Sequence, residues 1–158
     1  MNKKLSSLLR FMVAGMAFCG IIIYLFAFPT IGKSLVAMAP EFEGCFWPWL
    51  IFLWITGIPC VLVLIQIWKV TETIRNDRIF VQDNVRRISM ISKLALSDSV
   101  FFLLGNIILL LLNMNHPSIL ILSLGVSFVG CSIAIVSSAF AGFVNQGVAL
   151  QEENDLTI

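Results

Sequence analysis

Few side chains in this chain of 158 residues could do chemistry, and they lie far apart. The cysteines form no CxxC motif or other zinc-ligand spacing; they are Cys19, Cys45, Cys60 and Cys131. The single histidine, His116, precedes Pro117. Its candidate partners in a metal site all lie in one loop: Glu41, Glu43 and Cys45. We therefore predict no catalytic, metal-binding or cofactor-binding residue, and we do not expect an enzyme.

Asp98 is the one carboxylate beside a long uncharged segment, and it has two interpretations. The sequence Ser97-Asp98-Ser99 is typical of a helix start, with Ser97 as the cap and Asp98 stabilised by the helix dipole. The alternative is a proton or cation site at the inner mouth of a helix bundle. We favour the helix start, because a relay would need a second ionisable residue in mid-membrane.

The composition indicates a membrane protein. Hydrophobic residues make up 59% of the chain and charged residues 12%, and the mean hydropathy is +0.98. Soluble domains have about 25% charged residues, so this composition excludes a soluble enzyme and a disordered tail. Four segments are long and apolar enough to span a bilayer, at about 8–29, 46–68, 97–115 and 118–145. A cleaved signal peptide is the alternative for the first, but its apolar stretch exceeds a typical h-region.

These segments predict an all-α, integral membrane, antiparallel four-helix bundle, formed by residues 1–158 as a single domain. Backbone groups in lipid must bond within each segment, which favours helices over strands. Nine of the ten Lys and Arg residues lie in the N-terminal segment up to Arg10 or in the loop 69–96, whereas Lys33 lies in the first loop. Because basic residues stay on the inner side, we expect both termini and this loop to be cytoplasmic.

Small residues in the fourth span predict close helix contacts, since they let backbones approach in lipid. One stripe has an interval of four residues: Gly130, Ala134, Ser138 and Gly142. A neighbouring stripe consists of Ser123, Ser127 and Cys131. Either internal packing or a homo-oligomer could use these stripes, and we expect internal packing because four spans need contact surfaces in any case.

The loop 69–96 and the tail 146–158 carry the most distinctive sequence. After a break at Asn76-Asp77, a helix starting near Asn84 is predicted to lie at the membrane surface as an amphipathic basic element. It could anchor to anionic lipid or dock a cytosolic protein; its basic residues are Arg78, Arg86, Arg87 and Lys93. The tail has three acidic residues and no basic one. We expect it to fold onto the loop, with Leu156 and Ile158 beside Phe80.

Two cytoplasmic motifs carry a resemblance to a known family. The run Ile79–Ile88 (IFVQDNVRRI) and the ending Leu150–Ile158 (LQEENDLTI), together with four spans of this layout, resemble the bacterial membrane proteins grouped as domain of unknown function 2975. The resemblance implies four helices, a bacterial plasma membrane and frequent gene neighbourhood with a small helix-turn-helix transcription regulator. It implies no activity.

We therefore predict a multi-pass protein of the lipid bilayer that regulates a cytosolic helix-turn-helix regulator and does not itself bind nucleic acid. The candidate partner-binding residues are Arg78, Phe80, Asn84, Arg87, Glu153, Asp155 and Leu156. The alternative is a small transporter or channel, with Asp98 at its mouth and the second span, kinked at Pro59, as its gate.

Overall fold

A computed structural model describes residues 3–76 and 78–155, and these form helices without strands. The helices are α1 (Lys3–Ile22), a π-helical turn (Ile23–Ala27), α2 (Phe28–Met38), a 3₁₀ turn (Pro40–Cys45), α3 (Phe46–Arg75), α4 (Gln82–Leu111) and α5 (Pro117–Asp155). Within the described residues, four helical segments are long and apolar enough to cross a membrane, with α1 and α2 counted as one. This confirms the predicted all-α antiparallel membrane bundle.

The first span does not end at Pro29, as the sequence suggested, but continues to Met38. Pro29 has no N–H, so the regular i to i−4 ladder cannot pass through it. The backbone responds with a π turn, in which the Phe28 N–H donates to the carbonyl of Ile23, five residues earlier. The chain then resumes as α2, whose first turn tolerates proline.

The seam between α4 and α5 is the largest helix contact in the described chain. Along α5, the buried residues Ser127, Ala134, Ala141 and Val148 recur every seven residues. A seven-residue repeat averages 3.5 residues per turn and keeps one face against the partner helix. One face of α5 therefore packs on α4, and α5 contacts no other helix of the described chain; α4, which also contacts α3, is the more central of the two, so the expectation that the fourth span is the central packing helix is wrong.

The predicted four-residue stripe is only half right. Ala134 is buried, and a Cβ on Gly130 would overlap Ser99 Oγ of α4, so both residues lie in the seam. Ser138 and Gly142 are exposed on the bundle surface instead. An interval of four drifts about 40° per step around a helix, so the stripe leaves the contact after two residues.

The amphipathic basic element is not a separate surface helix, because α4 runs without a break from Gln82 to Leu111. Its apolar face packs on α5 rather than on lipid: Ile88 lies in one buried cluster with Ala141 and Val144. Of the predicted loop 69–96, residues 69–75 extend the second span as the end of α3, and residues 82–96 extend the third span as the start of α4. The end of the bundle where α3 ends and α4 begins carries five arginines, and we call it the basic end. They are Arg10, Arg75, Arg78, Arg86 and Arg87.

Candidate functional site

Asp98 does not start a helix, so the favoured interpretation of this residue is wrong. It lies well inside α4, and the Ser97 hydroxyl donates to the carbonyl of Leu94 (3.0 Å) instead of capping. The helix begins at Gln82, after an extended Val81 (φ −131°, ψ 145°). The local start signal is overridden because the residues before Ser97 pack on α5 and hold the helix together.

Asp98 takes part in a chain of polar side chains that crosses three helical segments. The Cys60 thiol of α3 donates to Asp98 Oδ2 (3.9 Å). The hydroxyl of Tyr24, in the π turn, lies 4.0 Å from Cys60 Sγ and 3.4 Å from Thr56 Oγ1. We call Tyr24, Thr56, Cys60 and Asp98 the Asp98 cluster.

The π turn and one glycine position Tyr24 in this cluster. Trp54 Nε1 donates to the carbonyl of Tyr24 (3.1 Å), which ties the turn to α3. A Cβ at Gly57 would lie 3.0 Å from Tyr24 Cε1, so glycine makes room for the ring against α3. Phe28 packs edge-on against the other side, with ring centroids 5.1 Å apart. The ring is thus fixed between two helical segments.

The Asp98 carboxylate has no protein counter-charge among the described residues. Its Oδ1 atom is buried without a hydrogen-bond partner there, and no described Lys, Arg or His forms an ion pair with it. The Arg10–Glu72 ion pair joins the first span to α3 near the basic end. Cys60 precedes Glu72 by about 18 Å of helix at 1.5 Å per residue. With this ion pair at the edge of the hydrocarbon core, the cluster would lie about halfway through a core about 30 Å thick.

At the basic end, the Asn84 side chain stabilises the short connection between α3 and α4 by hydrogen bonds. Its side chain is only 1% exposed. Nδ2 donates to the carbonyls of Ile79 (2.9 Å) and Arg78 (3.4 Å), and Oδ1 accepts from Thr73 Oγ1 (2.8 Å). The predicted role of Asn84 in partner binding is wrong, because a buried side chain cannot touch a partner.

Arg78 and Phe80, which precede α4, face outward. Phe80 is 49% exposed, and a Cβ on Gly147 of α5 would overlap its ring. Arg78 is exposed beside it. A cavity of about 240 Å³ opens here, lined by Arg78, Ile79, Phe80, Val81 and Gln151. The connection and α5 thus form one continuous surface.

The remaining predicted partner-binding residues are placed as follows. Arg87 is half-buried, and its Nε is buried without a hydrogen-bond partner in the described chain. Glu153 is exposed near the end of α5, and Asp155 is the last residue of that helix. As far as Asp155, the tail continues α5 and does not fold onto the loop. The predicted fold-back of the tail is therefore wrong for these residues. Leu156 and Ile158 lie outside the described residues.

At the opposite end, the side-chain amides of Asn106 and Asn115 join α4 to the turn before α5. Asn106 is 1% exposed, and its Nδ2 donates to the carbonyl of Phe102 (2.9 Å). Asn115 Nδ2 donates to Asn106 Oδ1 (2.9 Å), and Asn115 Oδ1 accepts from the His116 N–H (3.0 Å). A cavity of about 280 Å³ lies nearby, with a mainly apolar lining that includes His116.

Comparison with known proteins supports a membrane protein. Residues 30–158 match the family model described as protein of unknown function (DUF2975). The chain is 24% identical over 136 residues to the uncharacterized membrane protein YoaS of Bacillus subtilis (strain 168). The aligned region covers 85% of each of the two chains. No solved structure matches. This multi-pass membrane protein, whose family carries no known activity, belongs to the DUF2975 family.

Proposed function

We propose that this protein regulates a cytosolic partner by binding it at the basic end of the bundle. The main support for this proposal is the surface formed by Arg78, Phe80 and Gln151. There, a half-exposed aromatic ring and a guanidinium lie beside an open cavity. Aromatic residues and arginine are enriched where proteins bind each other. Asn84 holds the connection in one conformation, which lowers the entropic cost of binding.

The partner that we propose is the small helix-turn-helix regulator that the family resemblance implies. Such a regulator binds DNA through a basic face, because phosphate contacts dominate its affinity. The end of α5 presents Glu152 and Glu153 close to Gln151 of the cavity. An acidic helix end beside an aromatic anchor is complementary to that basic face. Binding here would therefore compete with DNA and keep the regulator at the membrane.

This proposal requires the basic end to be cytoplasmic, as the positive-inside rule indicates. We expect a membrane-impermeant maleimide to label a cysteine at position 116 in intact cells, in a background whose native cysteines are replaced by serine. A cysteine at position 80 should react only after the membrane is permeabilised. Labelling of position 80 in intact cells would place the basic end outside and would contradict the proposal.

The partner proposal is tested by the location of the neighbouring regulator, fused to a fluorescent protein. We expect the fusion to follow the membrane when this chain is present and to become cytosolic with Phe80→Ser or with Glu152→Lys, which reverses an acidic charge that we propose meets the regulator. Arg86→Glu is the matched control, since Arg86 is exposed at the same end but does not line the cavity. A regulator that stays cytosolic with the unmodified chain, or that responds equally to Arg86→Glu, would contradict the proposed surface.

A further inference from the structure

We propose that the Asp98 cluster binds a hydrophobic organic monocation, of the quaternary ammonium or phosphonium class, that enters from the lipid. The cluster has one carboxylate, a thiol, two hydroxyls and an aromatic ring, all brought together by the π turn and by the packing of α3 against α4. This inference is independent of the partner bound at the basic end.

The first argument is charge. A carboxylate near the middle of a bilayer is costly unless a proton or a cation neutralises it. Among the described residues no basic side chain pairs with Asp98, and Oδ1 lacks a hydrogen-bond partner. The carboxylate turns readily about its last bond, so either oxygen can face an incoming group. The positive charge must therefore come from a ligand or from a proton.

The second argument is access. Cys60, which contacts Asp98, is exposed on the bundle surface, and its neighbours Ile58 and Val61 on α3 are exposed large apolar residues. This surface faces hydrocarbon chains when the protein spans a membrane. A ligand that arrives from this side must first dissolve in the lipid, which favours an organic ion over a hydrated inorganic one.

The third argument is the aromatic surroundings. Tyr24 lies in the cluster itself, Trp54 donates to its carbonyl, and Phe101 lies about one helical turn from Asp98 on α4. Trp54 and Phe101 are both exposed. Aromatic rings attract organic cations through their faces, and the attraction is stronger where water is excluded. Within the described residues, no group of three or more His, Cys, Asp or Glu could hold a metal ion.

The experiment measures binding of radiolabelled tetraphenylphosphonium to the purified protein in detergent micelles. We expect saturable binding that Asp98→Asn weakens by about tenfold or more, equivalent to about 1.4 kcal/mol. Asp98→Glu should retain binding because it keeps the charge. Asp83→Asn is the matched control, since Asp83 is an exposed carboxylate in the first turn of α4. Neutral triphenylphosphine oxide should not compete.

A second measurement uses the unmodified protein and does not depend on how any variant folds. Bound tetraphenylphosphonium should slow alkylation of Cys60 by N-ethylmaleimide, read by mass spectrometry. Cys19, an exposed cysteine of α1 that lies outside the cluster, should react at an unchanged rate. Equal binding by Asp98→Asn, competition by the neutral analogue, displacement by excess sodium, or unprotected Cys60 would each overturn the proposal.

Discussion

Asn84→Ala should lower the free energy of unfolding by about 2–3 kcal/mol, because it removes the hydrogen bonds of a buried side chain to two backbone carbonyls and from one hydroxyl, each worth about 1 kcal/mol. The carbonyls belong to Ile79 and Arg78, and the hydroxyl belongs to Thr73 at the end of α3. Unfolding by sodium dodecyl sulfate in mixed micelles, followed by circular dichroism, measures the loss. Trypsin should also cleave faster after Arg78, since the connection is no longer fixed.

The matched control for this prediction is Asp83→Ala, which removes an exposed neighbour in the same helical turn. We expect it to change stability by less than about 0.5 kcal/mol. Asn84→Asp keeps the shape but directs an oxygen at the two carbonyls, so it should destabilise at least as strongly as alanine. If Asn84→Ala and Asp83→Ala unfold alike, Asn84 does not hold the connection.

Ala134→Leu should destabilise the bundle by about 2–3 kcal/mol, because overpacking a tight contact displaces its backbone. Ala134 is 3% exposed, and its carbonyl accepts from the Ser92 hydroxyl of α4 (2.7 Å). There is no room for three extra carbon atoms at such a close approach. The same denaturant titration in micelles measures the effect, and loss of the Ser92 hydrogen bond should accompany it.

Ser138→Leu distinguishes the two packing patterns of α5. Ser138 lies one turn beyond Ala134 and is exposed, so leucine there should change the free energy of unfolding by less than about 0.5 kcal/mol. The four-residue stripe and the seven-residue repeat both contain Ala134 and differ at position 138. Greater damage from Ser138→Leu than from Ala134→Leu would show that the four-residue stripe is the contact.

The spans were predictable because a bilayer imposes a length and a polarity that any sequence must meet. Helix ends were less predictable, since they depend on contacts distant in the sequence. Ser97-Asp98-Ser99 carries a sound local start signal. It is outweighed because Ile88 and Ile91 are buried, Ile88 against α5, so the helix continues through it. The cluster around Asp98 could not be seen without knowing that α4 is continuous.

The remaining site residues needed the tertiary structure for a similar reason. Pro29 signals the end of a helix, but in the bundle it follows a π turn that directs Tyr24 towards Thr56 and Cys60. No spacing in the sequence relates Tyr24 to Thr56 and Cys60. Asn84 could not be placed for the same reason. A polar residue near basic ones is typical of an exposed surface, but Asn84 is buried because the chain between α3 and α4 folds around it.

Because α4 is one continuous helix, it mechanically couples the Asp98 cluster to the basic end, which we propose is cytosolic. Asp98 and Asn84 lie on one rod, about 21 Å apart along its axis at 1.5 Å per residue. A helix without a hinge transmits a tilt from one point to the other. Any occupant that separates α3 from α4 at Asp98 would therefore strain the hydrogen bonds of Asn84 and move Phe80, the residue that we propose meets the cytosolic partner.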